Sequence, residues 1–207
     1  MSHMSEIPEI KNFIFDVGRV LISFQADEMF LEHGLSIKDS ERICKEMFFN
    51  PYWSLSDYGT LTMDEILDGY AIIYPEDDYV FRWFVENCRD QVIPRPRIWE
   101  KVHALKEAGY GLYLLSNYNE YFWKEQVEGL PFLKDMDGVL VSYREHMVKP
   151  EERFFRLLLD RYGLKAEECL YLDDLSYNTE AAGRIGINAI TVESEEEILG
   201  LLDKYSR

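Results

Sequence analysis

From Pro96 to the C-terminus, apolar residues fall alternately at helical spacing and in short unbroken runs, and this alternation constrains the fold more than any other feature. Ile98, Val102 and Leu105 recur at helical intervals and stop at Gly109; residues 111–116 then read as a strand. A short apolar run follows at 139–141. After Pro150 a helix carries Phe154, Leu158 and Leu159 to a stop at Gly163, and residues 170–172 form the next strand. A helix over about 178–185 stops near Gly186, residues 187–192 supply another strand, and 195–205 close the chain as a helix. The acidic run 193–197 opens that last helix, where negative charge suits the N-terminal end of the dipole. An earlier run, Asn12-Phe-Ile-Phe-Asp-Val17, reads as a buried strand of the same kind. Strands alternating with helices predict an α/β fold: a mostly parallel, doubly wound (Rossmann-like) sheet covered by helices on both faces.

The stretch from about Gln25 to Arg95 breaks this pattern. It is dense in aromatics and helical periodicities, Met63 to Tyr70 among them, and offers no convincing series of strands. We read it as a helical insertion, a cap at residues 22–95 on a core of residues 5–21 and 96–207. The aromatic cluster from Met47 to Tyr58 falls inside it, and an apolar stripe in a helical module is more often core than binding site. A chain of 207 residues suffices for one core with a smaller inserted module.

Charge narrows the partners. With 39 acidic against 22 basic residues the formal net charge is -17, which disfavours nucleic acid and anionic membranes. An anionic substrate would need a local cationic pocket. Cys44, Cys88 and Cys169 are odd in number and show no metal-type pairing, so a reducing cytoplasmic location is the simplest expectation. No apolar run reaches the ~18 residues that span a bilayer. The opening Met1-Ser2-His3-Met4 reads as a remnant preceding an internal start, and His3 is set aside. Nothing in the sequence fixes an oligomeric state.

In open parallel sheets ligands bind beyond the carboxyl ends of the strands, and right-handed crossovers point those ends the same way. Asp16 ends the first strand, Ser116 and Asn117 the second, and Asp173 and Asp174 the fourth; Lys149 follows closely after the third. Residues far apart in sequence are thereby expected to meet at one edge.

FDVGRV at Asp16, LLSN ending at Asn117, VKPE around Lys149, and YLDD ending at Asp174 with Asn178, taken in that order, resemble the four motifs of the haloacid dehalogenase superfamily. The pattern is similar to its sugar-phosphatase-like branch, with DxGxV in the first motif and a helical cap. The resemblance implies Mg²⁺-dependent hydrolysis of a small phosphomonoester, such as a sugar phosphate, by a hydrolase whose nucleophile is Asp16. It implies that Ser116 and Asn117 contact the phosphoryl oxygens and that Lys149 offsets charge during transfer. Mg²⁺ would be held by Asp16, a backbone carbonyl near Gly18, and Asp174. Asp173 would act through water or through Lys149, and Asn178 would support the loop.

Each residue has a plainer alternative. A strand-end aspartate caps turns, Ser-Asn after a strand caps a helix, a lone lysine is usually solvated, and adjacent acids usually face water. The ordered set of four is what outweighs them. Gly18 departs from the family pattern, which places a second aspartate there as proton donor. It permits a turn, and it leaves open a non-catalytic phosphate-ligand-binding protein. A 2-haloacid dehalogenase is a further alternative, against which the Asp173-Asp174 pair counts. His146, three residues before Lys149, is a substitute donor to test. His33 and His103 are expected to be structural or exposed, and Arg19 and Arg144 to be surface residues with substrate contact as the lesser reading.

Overall fold

The computed structural model describes residues 9–206. The Met1 to Met4 reading, and the first residues of the core as delimited above, lie outside them. Five parallel strands form one sheet: β1 (Asn12–Phe15), β4 (Gly111–Ser116), β5 (Gly138–Val141), β6 (Cys169–Asp173) and β7 (Asn188–Thr191), in the order β5-β4-β1-β6-β7. A separate antiparallel ribbon joins β2 (Ile22–Phe24) to β3 (Val92–Pro94). Chain order reverses beside β1, so a crevice opens where β4 and β6 flank its carboxyl end.

Side-chain alternation explains why both faces are covered. Phe13 and Phe15 of β1 align with Leu112 and Leu114 of β4 and with Leu170 and Leu172 of β6, and these pack into one apolar cluster. Ile14, Tyr113, Leu115 and Tyr171 point the other way into a second. The first face is covered by α6 (Pro96–Glu107) and α11 (Glu195–Leu202), through Ile98, Val102, Leu105, Ile198 and Leu202. The second is covered by α9 (Glu152–Tyr162) and α10 (Ser176–Arg184), through Phe154, Phe155, Leu158, Ala181 and Ala182.

Local signals set the helix ends. Ser194 caps α11, its side chain accepting from Glu197 N–H, with Glu195, Glu196 and Glu197 in the first turn. Gly163 ends α9 at a φ of 64°, where a Cβ would be strained.

Between β2 and β3 run five helices: α1 (Ala26–Glu32), α2 (Ile37–Phe48), α3 (Pro51–Asp57), α4 (Met63–Ile73) and α5 (Asp78–Glu86). Asn50 caps α3 with Pro51 in its first turn, and Thr62 with Glu65 makes a capping box on α4. Phe30, Ile43, Ile66, Tyr70, Phe81 and Phe84 are fully buried among them. Their apolar cluster continues into the sheet domain without a break. The Trp53 and Phe122 rings lie 5.1 Å apart, edge to face, and Phe84 and Phe122 lie 6.3 Å apart. Phe122 belongs to α7 (Glu120–Phe122), which follows β4.

Sequence patterning did not reveal the β2–β3 ribbon, because three-residue strands carry too few residues to show a period. Among the described residues the three cysteines are free thiols, and no helix is long and apolar enough to cross a membrane.

Candidate active site

Asp16 lies one residue past β1, its N–H still donating to the Leu172 carbonyl of β6 at 2.9 Å. The loop after it folds tightly: the Val17 carbonyl accepts from Leu21 N–H at 2.9 Å and Ile22 N–H at 3.1 Å. The turn's unusual backbone belongs to Arg19, at a φ of 56°, and not to Gly18, which is outside the left-handed region. Turn geometry therefore does not account for the glycine. A Cβ at position 18 would stand 3.1 Å from Cε2 of Phe24, a tight contact that the ring would have to relieve by a few tenths of an ångström. Arg95 fastens the loop by donating to the Arg19 and Val20 carbonyls, as does the Trp99 indole to that of Leu21.

Three donors converge on one oxygen of Asp16. Its Oδ1 accepts from Val17 N–H at 2.7 Å and the Ser116 hydroxyl at 2.6 Å, and pairs with Lys149 Nζ at 2.9 Å. Among the described residues Oδ2 has no such partner. Burial pushes the Asp16 carboxyl up to about 6, with Lys149 opposing the shift and Asp173 adding to it.

Lys149 is buried and reaches Asp173 Oδ2 at 2.6 Å. Burial works against its charge, but Asp16 and Asp173 outweigh burial and hold the ammonium above its usual range. Asp173 is fully engaged: Leu175 N–H, the Asn178 amide, the Tyr171 hydroxyl and Lys149 all donate to it. Burial disfavours its charge, yet Lys149 and these hydrogen bonds bring the net shift below the carboxylate range. The Asn117 amide is turned to the Lys149 backbone. Its amide oxygen accepts from Lys149 N–H at 2.8 Å and its amide nitrogen donates to the Lys149 carbonyl at 3.0 Å, which fixes the lysine backbone.

Asp174 is half-buried, with Arg19 Nε at 4.0 Å as its nearest cation. Burial, then Asp173, pushes its carboxyl up. One oxygen each from Asp16, Asp173 and Asp174 lies within 4.8 Å of the others. Three hard oxygen donors, two of them on carboxyls whose charge is under-compensated, suit a small divalent cation such as Mg²⁺. Asn178 carries the one buried side-chain acceptor without a donor among the described residues, its Oδ1.

A cavity of about 550 Å³ opens over this edge. Asp16, Ser116 and Asn117 from the sheet edge line it together with Phe48, Phe49, Trp53 and Asp57 from the helical stretch. The aromatic cluster read as core is thus divided: Met47 is buried, whereas Phe49 is 84% exposed on the cavity. Arg19 lines the cavity. Arg144 does not; it lies over the Trp123 and Tyr143 rings. His146 is also absent from the lining, its Nδ1 standing 2.8 Å from the Tyr58 carbonyl, to which it must donate. His33 stacks on Trp83, and His103 pairs with Asp135. Asp57 is the residue that sequence reasoning passed over, since nothing in a lone acid among aromatics announces the cavity it enters.

Comparison with known proteins agrees with this architecture. The chain is 24% identical over 200 residues to a D-ribitol-5-phosphate phosphatase of Bacteroides thetaiotaomicron, covering 89% of this chain and 93% of that protein. It is 21% identical to (S)-2-haloacid dehalogenase 4A of Burkholderia cepacia, over 68% of this chain and 61% of the relative. A 63-residue segment is 40% identical to mouse acyl-CoA dehydrogenase family member 10, 30% of this chain and 6% of that protein. The chain thus spans less than two thirds of the length of these last two relatives. Among solved structures, a HAD-family enzyme of Bacteroides thetaiotaomicron in complex with magnesium and inorganic phosphate superposes with a TM-score of 0.70 at 25% identity, over 90% of this chain and 96% of that one. The sequence profile of the haloacid dehalogenase-like hydrolases matches residues 33–192, taking in Ser116, Lys149, Asp173 and Asp174 while beginning after Asp16. By that match over most of its length, the chain belongs to the haloacid dehalogenase-like hydrolase family.

Proposed function

We propose that this protein hydrolyses a small phosphomonoester through an aspartyl-phosphate on Asp16. The observation that carries the reading is the asymmetry of that carboxylate: Oδ1 is held by Ser116, Lys149 and Val17 N–H, while among the described residues nothing donates to Oδ2, and Asp16 lines a cavity. A carboxylate so oriented attacks phosphorus; the bond to the leaving oxygen breaks, and water later cleaves the Asp16–phosphorus bond to release phosphate. Ser116 and Lys149 face the transferring group, and the lysine's charge opposes the repulsion between carboxylate and phosphoryl oxygens. Asn117 and Asp173 keep Lys149 in place. Asp16, Asp174 and a carbonyl near Gly18 are the residues that would hold Mg²⁺, with Asp173 behind them. When bound, the cation neutralises charge on the phosphoryl oxygens.

The helical stretch over residues 22–95 serves as the cap in this reading, since Phe48, Phe49, Trp53 and Asp57 line the cavity that Asp16 also lines. Similarity to a polyol-phosphate phosphatase supports a sugar or polyol phosphate as substrate. Phosphate release from a panel of such esters, with Mg²⁺ and with EDTA, tests the proposal. Asp16→Asn is expected to abolish release while leaving thermal unfolding nearly unchanged. The absence of an acid at position 18 and the dehalogenase relative support a second reading, halide displacement at Asp16. Halide release from 2-haloacids without phosphate release from any ester would favour it.

A further inference from the structure

The reaction proposed above needs a proton donor for the leaving oxygen, and position 18 supplies none. A Cβ there would also press on the Phe24 ring at 3.1 Å. Of the other acids on the cavity, Asp27 accepts from Cys44 and Ser40, and Glu28 faces solvent. Among the polar amides, Asn119 caps α7 through Phe122 N–H, and Gln126 bonds Cys88 and Tyr118. Asp57 alone is different. It is half-buried, it lines the same cavity as Asp16, and among the described residues nothing donates to its carboxylate.

Its placement is fixed from the core side. Directly after Asp57, the Tyr58 carbonyl accepts from His146 Nδ1 at 2.8 Å, and the Tyr58 hydroxyl donates to Glu151. Both partners flank Lys149 in sequence, so the end of α3 is tied to the segment that carries the site's lysine.

We infer that Asp57 is the proton donor and acceptor of this hydrolase, an inference that rests on the phosphomonoesterase reading. As the bond from phosphorus to the leaving oxygen breaks, the Asp57 O–H bond breaks with it and the leaving group departs as a neutral alcohol. The Asp57 carboxylate then takes a proton from the water that attacks the aspartyl-phosphate. Asp16 is freed as carboxylate, phosphate leaves, and Asp57 is again protonated. The environment suits the role. Burial raises the carboxyl to about 7, with Lys149 opposing, so the proton is present near neutrality. The Tyr118 and Tyr70 hydroxyls, whose own ionisation the Asp57 charge disfavours, are its other titratable neighbours. The negative end of the α3 dipole acts in the same direction.

Single-turnover rates with Mg²⁺ test this, using 4-nitrophenyl phosphate, whose leaving anion needs no proton, and ribitol 5-phosphate, whose alkoxide does. In the unmodified chain the two should cleave at rates within about tenfold. Asp57→Asn should slow ribitol 5-phosphate about 10²- to 10⁴-fold, the usual contribution of a positioned acid, while the nitrophenolate burst changes less than threefold. Later turnovers of nitrophenyl phosphate should slow as well, because water attack also needs the base. A steep leaving-group dependence in the unmodified chain, equal losses on both esters, or a change confined to KM would overturn the inference alone. Failure of the unmodified chain to turn over either ester would remove the hydrolase reading with it.

Discussion

Replacing Lys149 with methionine isolates the electrostatics on which the site depends. Methionine keeps most of the buried volume but removes the cation that lies 2.9 Å from Asp16 and 2.6 Å from Asp173. For both acids burial is the largest influence and acts upward; Lys149 is the main influence acting downward. Without it the Asp16 carboxyl, already up at about 6, rises further, and that of Asp173 loses the main influence that holds it down. Breaking one partner out of a buried ion pair typically costs about 3–5 kcal/mol, and a domain of this kind has about 5–15 kcal/mol in hand, so Lys149→Met should remain folded. The sign with pH follows from linkage. In the variant, the folded state retains protons that the unfolded chain has released, so stability should fall as pH rises from about 4 through the new folded values. The loss relative to the unmodified protein should therefore be largest at pH 8 and smaller at pH 5. Urea unfolding at both pH values in EDTA measures it. Repeating the pH 8 series with Mg²⁺ should restore about 2.7 kcal/mol at one hundred times the dissociation constant, if the carboxylates bind the ion. A loss below about 1 kcal/mol at pH 8, or a larger loss at pH 5 than at pH 8, would refute the reasoning.

Asp174→Ala should abolish thermal stabilisation by Mg²⁺ in the absence of any substrate, because a carboxylate that accepts no buried lysine is the one most available to a cation; an unchanged calorimetric Mg²⁺ isotherm would count against it. Gly18→Asp should destabilise by about 1–3 kcal/mol through overpacking against Phe24, and combining it with Phe24→Ala should give a coupling of at least about 0.5 kcal/mol. Additive unfolding free energies in that cycle would mean that the ring yields freely. Asp57→Asn should leave stability in EDTA unchanged near pH 4 and raise it at pH 8 by up to about 4 kcal/mol, since a carboxyl moved from 3.8 to about 7 destabilises the fold progressively as pH rises between those values. Identical unfolding curves at pH 8 would show that the group is not held high.

How much of this was legible beforehand depended on the range over which each feature is encoded. Alternating periods are local, and the strands and helices lie close to where those periods put them; β1 ending at Phe15, one residue before Asp16, β4 ending at Ser116 and β6 ending at Asp173 are examples. Parallel strands with right-handed crossovers then leave little freedom, so the gathering of Asp16, Ser116, Lys149 and Asp173 at one edge was implicit in the order of the motifs. The division of labour among those residues was not. That Asn117 holds the Lys149 backbone, and that Tyr171 and Asn178 saturate Asp173, depends on side-chain distances of about 3 Å that no spacing encodes. Gly18 is the clearest case. In sequence it is a permissive turn residue, yet the left-handed backbone belongs to Arg19, and a side chain at 18 would press on the ring of Phe24, six residues on. Asp57 lay further out of reach, because an acid's proton affinity is set by what surrounds it in space: the wall of aromatics, the distant Lys149, and the loop that His146 ties down belong to three separate stretches of chain. Local periodicity determined the scaffold, and only the packing of the helical stretch against the sheet edge decided which carboxyls are left free, and with what charge.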